Sequence, residues 1–116
     1  MKLDVQAYAG LLVITVDEDR IDASVALAFK EGFRSLVSEN TGDVLLDLGK
    51  VDFLDSSGLG ALVAARKLMG TDRALDLAQL RPIVAKVMRL THMDSVFTIH
   101  STCDTALAAH GVTSAG

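Results

Sequence analysis

Asp55, Ser56 and Ser57 stand together in the stretch VDFLDSSGLGALV, residues 51–63, where an apolar run breaks off and then resumes. A carboxylate and two hydroxyls in a row can do two kinds of work. Each can accept hydrogen bonds from the first-turn N–H groups of a helix, which have no intrahelical partner, and losing such a cap costs about 1 kcal/mol. One cap suffices for one helix end, so an exposed spare serine is also available as a phosphate acceptor. A phosphoserine would bring a charge of about −1.5 to −2 to an edge that already holds Asp55. Gly58 and Gly60 each lower helix propensity by about 1 kcal/mol relative to Ala, a cost that makes sense where another backbone comes close.

The remaining candidates for chemistry are weaker. Asp17, Glu18 and Asp19 read as a solvated turn, because consecutive carboxylates rarely organise a full coordination shell. His92, His100 and His110 share no ligand spacing, and His100 with Cys103 lacks a second pair to complete a tetrahedral centre, so they read as surface or packing residues. No metal and no cofactor are expected. Met69, Met88 and Met93 read as core or groove residues, since flexible thioethers suit adaptable apolar contact. Ser56 lacks G-x-S-x-G surroundings and no histidine falls where a general base would be placed, which argues against a hydrolase. The GLG triplet has neither the length nor the lysine of a phosphate cradle, which argues against a kinase.

The elements that must position the serines follow from hydrophobic periodicity. LDVQAYAGLLVITV reads as two short strands joined near Ala9-Gly10, and the acidic DEDR ends the second. From Asp22 or Ser24, either of which could cap, Val25, Phe29, Phe33, Leu36 and Val37 recur at helical spacing. DVLLDLGKVDFLD reads as one mostly apolar strand with a short extension, placed in the middle of a sheet. Leu59, Leu62, Val63, Arg66 and Met69 mark the helix after the serines, closed by Gly70. RALDLAQL is a further strand, Pro82 opens a third helix, SVFTIH is a last strand, and STCDTALAAHG a closing helix capped by Ser101 or Thr102. Strands alternating with helices call for a single α/β domain with a mainly parallel central sheet of about four to five strands, an N-terminal strand pair and about four helices. The domain is expected over residues 1–111, with 112–116 as a short tail. The serines then fall at the carboxyl edge of the sheet, where open α/β folds most often carry function.

Composition narrows the partners. The chain has 116 residues, half of them apolar, enough for one core. Eleven basic against fifteen acidic residues give a net charge of −4, with four Phe, one Tyr and no Trp. Without clustered cations or stacking platforms, nucleic acid is a poor partner, and another protein is the better one. The single cysteine fits a reducing compartment, read here as the cytoplasm. No run approaches the roughly 18 apolar residues of a membrane span and no signal-like start is present, so neither secretion nor membrane insertion is expected.

FLDSSGLGALV, preceded by VLLDLGKV, resembles the STAS domain of bacterial anti-sigma-factor antagonists. The similarity extends from the opening strand pair through the RID turn to LRPIVAKVMRLTHMDSVFTIHSTCDTAL. The resemblance implies that Ser56, directly after the Asp, is phosphorylated by an anti-sigma factor that is also a serine kinase, and that a metal-dependent serine phosphatase reverses this. It further implies that the unphosphorylated form binds the kinase and frees a sigma factor. Asp22 matches the family's acidic residue in the turn before the first helix. With Asp55, Ser57, Gly58, Leu59 and Gly60 it forms the expected partner surface, Ser57 acting mainly as a helix-start residue. The chain departs from the family in carrying Asp19 where Gly is frequent. The alternative is a non-switching STAS scaffold or a regulatory subunit of a transport system.

Overall fold

Aliphatic and β-branched side chains run without interruption from Leu11 to Val16, and nearly all are buried, as a strand with cover on both faces requires. The computed structural model, which describes residues 1–112, pairs this strand β2 antiparallel with β1 (Leu3–Tyr8) across a tight turn. Gly10 makes that turn possible with φ of 77°, a conformation glycine adopts at no steric cost. β2 then pairs parallel with β4 (Asp43–Asp47), β4 with β6 (Leu75–Ala78), and β6 with β7 (Thr98–His100). The sheet therefore runs β1-β2-β4-β6-β7, mixed only at its N-terminal pair.

From β2 onward the strands are added in one direction, so right-handed crossovers place the three intervening helices on one face. These are α1 (Ala26–Ser38), α2 (Ser56–Met69) and α3 (Pro82–Leu90). Phe29, Phe33 and Val37 of α1 pack with Leu62 and Met69 of α2, and with Val84 and Met88 of α3, on Ile14, Val44, Leu46 and Leu77. Each such side chain contributes about 1.5–3 kcal/mol on burial. The opposite face carries only α4 (Cys103–Ala109), whose Ala106 and Leu107 pack with Leu11, Val13, Leu45 and Ala78. Thr102 caps α4 by accepting from the Thr105 N–H at 3.0 Å. A 3-10 turn at Met93–Ser95 links α3 to β7. Of the tail expected over 112–116, residues 113–116 lie outside the described residues, while Val112 packs beside Leu107.

Three sequence expectations are corrected. DVLLDLGKVDFLD is not one extended strand: the chain turns after Asp47, whose carboxylate accepts the Gly49 N–H at 2.8 Å, and resumes as a separate strand β5 (Phe53–Leu54). β5 pairs parallel with β3 (Arg20–Ile21), a two-residue strand inside what reads as an acidic loop. Along α2 the inward stripe is Gly58, Ala61, Leu62, Ala65 and Met69, with Val63 half-buried at its border. Small residues supply much of that stripe because the neighbours are close. Finally, α1 starts at Ala26 with no side-chain cap, since Asp22 works one turn earlier, taking the Ser24 N–H at 3.0 Å.

The β3–β5 ladder is pressed against the first turn of α2. A Cβ at Gly58 would lie 1.9 Å from the Ile21 carbonyl oxygen and 2.8 Å from Leu54 Cδ1, whereas one at Gly60 would meet nothing within 4 Å. The two glycines expected to admit a neighbouring backbone thus divide: Gly58 does so and Gly60 does not. Gly58→Ala should destabilise the protein by about 1–3 kcal/mol through overpacking, even though Ala is the better helix former. Gly60→Ala should stabilise it by about 0.5–1 kcal/mol. Urea unfolding of both variants checks this, and equal effects would mean that the close approach is not as drawn.

Candidate functional site

The junction between β5 and α2 assigns different work to the three adjacent polar side chains. Asp55 is the cap: its backbone is extended (φ −101°, ψ −173°) and Oδ1 accepts the Gly58 N–H at 2.9 Å. Its carbonyl accepts the Leu59 N–H, the first bond of the helix. Ser56 and Ser57 take the first two helical positions, and both are exposed. Ser57 is therefore not the cap. With that role filled by a carboxylate, both hydroxyls are free to face solvent beside the unpaired first-turn N–H groups, which favour an anion by about 0.3–1 kcal/mol.

The small β3–β5 ladder brings a second carboxylate to the same edge. Arg20 lies opposite Phe53 and Ile21 opposite Leu54, so Asp22 and Asp55 are the next residues in register as both chains leave the ladder. The Arg20 guanidinium stands 5.0 Å over the Phe53 ring, and its Nε lies 3.6 Å from Asp22 Oδ2. The Ser24 hydroxyl and N–H both donate to Asp22, and with Arg20 they hold its carboxyl below the usual range. Asp22 stays ionised at neutral pH. The Asp19 carbonyl accepts the Asp52 N–H at 2.8 Å, so the residue that stands in place of a frequent Gly serves the ladder through its main chain. Asp17 is held by Lys50 at 3.2 Å and by Lys2 at 3.7 Å, and the Lys50 hydrogen bond chiefly lowers its pKa.

Asp22, Asp55, Ser56, Ser57 and Gly58 thus meet at one junction. Gly60 is exposed further along α2, whereas Leu59 is half-buried and turned to the main core. Sequence reading missed Arg20 and Phe53, because a two-residue strand is too short for alternation to register. It also missed a grouping of buried Asp76 with His100 and His110, which lie 24 and 34 residues from it and obey no local spacing. Those two histidines are held on the α4 face, and His92 follows α3 at the amino edge of the sheet, so none serves Ser56 as a base. Burial pushes the Cys103 thiol up to about 12, with Asp47 adding to the effect, which keeps it protonated and unreactive.

This geometry has counterparts in known proteins. The STAS domain family model matches residues 2–106. The anti-sigma-F factor antagonist RsfB of Mycobacterium tuberculosis is 27% identical over 100 residues, spanning 86% of this chain and 81% of that one. A crystal structure of an anti-sigma factor antagonist from Mycobacterium paratuberculosis superposes with a TM-score of 0.83 at 28% identity, covering 93% of this chain and 92% of that one. The Bacillus antagonist SpoIIAA, at 14% identity, shares the fold. Its unphosphorylated form gives a TM-score of 0.74 over 97% of this chain and 99% of that one, and its phosphorylated form 0.67 over 94% and 99%. With a five-stranded mixed sheet, four helices and a family match over nearly all its length, the chain belongs to the STAS domain family, among relatives named anti-sigma factor antagonists.

Proposed function

We propose that this protein is a phosphorylation-controlled antagonist, a binding switch with no catalytic activity of its own. In its unphosphorylated form it binds an anti-sigma factor serine kinase in the cytoplasm and so releases a sigma factor. Phosphorylation of Ser56 ends that binding, and a metal-dependent serine phosphatase restores it. The observation that carries this reading is the division of labour at the helix start. Asp55 caps α2, and Ser56 is left exposed at its first position beside Asp22. The partner surface comprises Asp22, Asp55, Ser57 and Gly60, with Gly58 and Leu59 fixing the helix behind them. The existence of SpoIIAA in unphosphorylated and phosphorylated forms on the same fold supports the reading.

The mechanism is electrostatic. A phosphate on Ser56 adds about −1.5 to −2 charge beside two carboxylates, so a partner surface matched to the unmodified edge meets repulsion instead. The helix N-terminus favours the new anion, and the packing beneath is worth several kcal/mol, more than one solvated phosphate supplies against it. The domain therefore keeps its fold.

Ser56→Asp should weaken binding to the cognate kinase at least about tenfold, or ~1.4 kcal/mol, while Ser56→Ala retains it. Titration calorimetry showing equal affinity for both variants would remove the electrostatic switch. Phosphopeptide mapping after incubation with the kinase and ATP should place the phosphate on Ser56. Because Asp55 rather than Ser57 is the cap, Asp55→Ala should cost about 0.5–2 kcal/mol in thermal unfolding and Ser57→Ala only a few tenths. Amide NMR spectra of the two phosphorylation states should differ around Asp22, residues 54–62 and adjoining loops, with hydrogen-exchange protection in β4 unchanged. Lost protection in β4 would favour a conformational switch.

A further inference from the structure

Asp76 is the one buried charged residue of the main sheet among those described, and it lies on the face opposite α2. Strand register explains what gathers around it. Asp76 pairs with Thr98 and Ala78 with His100, so Asp76 and His100 share a face two residues apart. α4 packs Ala106 and Leu107 on the same face, and its end delivers His110. The Nε2 atoms of both histidines lie 2.9 Å from the same oxygen, Asp76 Oδ2. Among the described residues, the two imidazoles are the only basic side chains in ion-pair range of the Asp76 carboxylate, with no Lys or Arg so placed.

A buried carboxylate requires positive charge or strong donors. The second ring nitrogen of His110, Nδ1, faces Asp43 Oδ2 at 3.7 Å, beyond hydrogen-bond range, while the other Asp43 oxygen accepts the Ala74 N–H at 2.9 Å. Two imidazole nitrogens and a carboxylate oxygen that converge in this way are the donor set of a zinc-class centre. We infer that Asp76, His100 and His110 form a binding site for a divalent transition cation of the zinc class, which has no part in the Ser56 switch. The three ligand atoms lie within 4.8 Å of one another. A tetrahedral centre with bonds of about 2.0–2.1 Å sets its ligand atoms roughly 3.3 Å apart, so the 2.9 Å contacts need open by only a few tenths of an ångström.

On binding, each Nε2 gives up its hydrogen, to Nδ1 of the same ring through solvent or, from an imidazolium, to solvent outright. In His110 the Nδ1 hydrogen then points at Asp43, the carboxylate–histidine arrangement that orients metal-bound imidazoles. Two nitrogen donors exclude Mg²⁺ and Ca²⁺, which select oxygen. The ligand side chains remain 11–16% exposed, so an ion can reach them from solvent and retain water as its fourth ligand. Such an ion would tie α4 to β6 and β7.

The test uses chelator-treated protein free of any histidine tag, titrated with ZnCl₂. One equivalent should bind by calorimetry and raise the thermal midpoint, with MgCl₂ doing neither. His100→Ala and His110→Ala should each weaken binding at least about tenfold, while His92→Ala leaves it unchanged. In the wild-type protein, which avoids any folding defect of the variants, Zn²⁺ should shift the ¹⁵N imidazole resonances of His100 and His110 and not those of His92. Absence of saturable Zn²⁺ binding, shifts confined to His92, or folded variants that bind like wild type would each overturn the site.

Discussion

The contact between Gly58 and the Ile21 carbonyl is the constraint on which the candidate site depends. No side chain can stand between the first turn of α2 and β3, since even a Cβ would fall 1.9 Å from that oxygen. This proximity lets a two-residue ladder form beside the helix start, although such a ladder has few hydrogen bonds to hold it alone. Ile21 and Leu54, its inward residues, are buried in the main core and anchor it there. Arg20 and Phe53, its outward residues, stack over one another at 5.0 Å. Asp22 and Asp55 emerge side by side because the ladder is parallel and in this register.

Separation of capping from exposure follows at once. A carboxylate at the cap accepts a charge-assisted bond from the Gly58 N–H, a stronger bond than a hydroxyl would make. Ser56 is then released from structural duty at the point where the helix field favours negative charge. The same edge carries Asp22, held ionised by Ser24 and Arg20, so under the proposed switch a charge added at Ser56 would alter what a partner meets more than it would alter the domain. The helix behind it is locked by Leu62, Ala65 and Met69.

The two faces of the sheet have unequal cover for a topological reason. Adding strands in one direction with right-handed crossovers sends α1, α2 and α3 to one side and leaves α4 to close the other. The larger core is accordingly rich in Phe, Leu and Ile, while the smaller one has only a few aliphatic residues around Leu45. On that thinner side a charged residue in the sheet is tolerated, and two histidines complete its surroundings. Polar chemistry and light cover thus occur together, away from the edge that carries Ser56.

The alternation of apolar strands and amphipathic helices was legible in the residues themselves, because periods of two and about three and a half betray which faces are buried. So were the Ala9-Gly10 turn, Pro82 at a helix start, and the placing of Asp55-Ser56-Ser57 where a strand hands over to a helix. Local chemistry could not say which of those three would cap. Backbone angles and one hydrogen bond chose Asp55, and hence set Ser56 and Ser57 free. Nor could it reveal β3 or the break between β4 and β5, since strands of two residues carry no period and exist only through their partner. The placing of Asp22 and Asp55 at one end of the same ladder and the meeting of Asp76 with His100 and His110 belong wholly to tertiary structure, because register and helix packing join residues that no spacing along the chain relates.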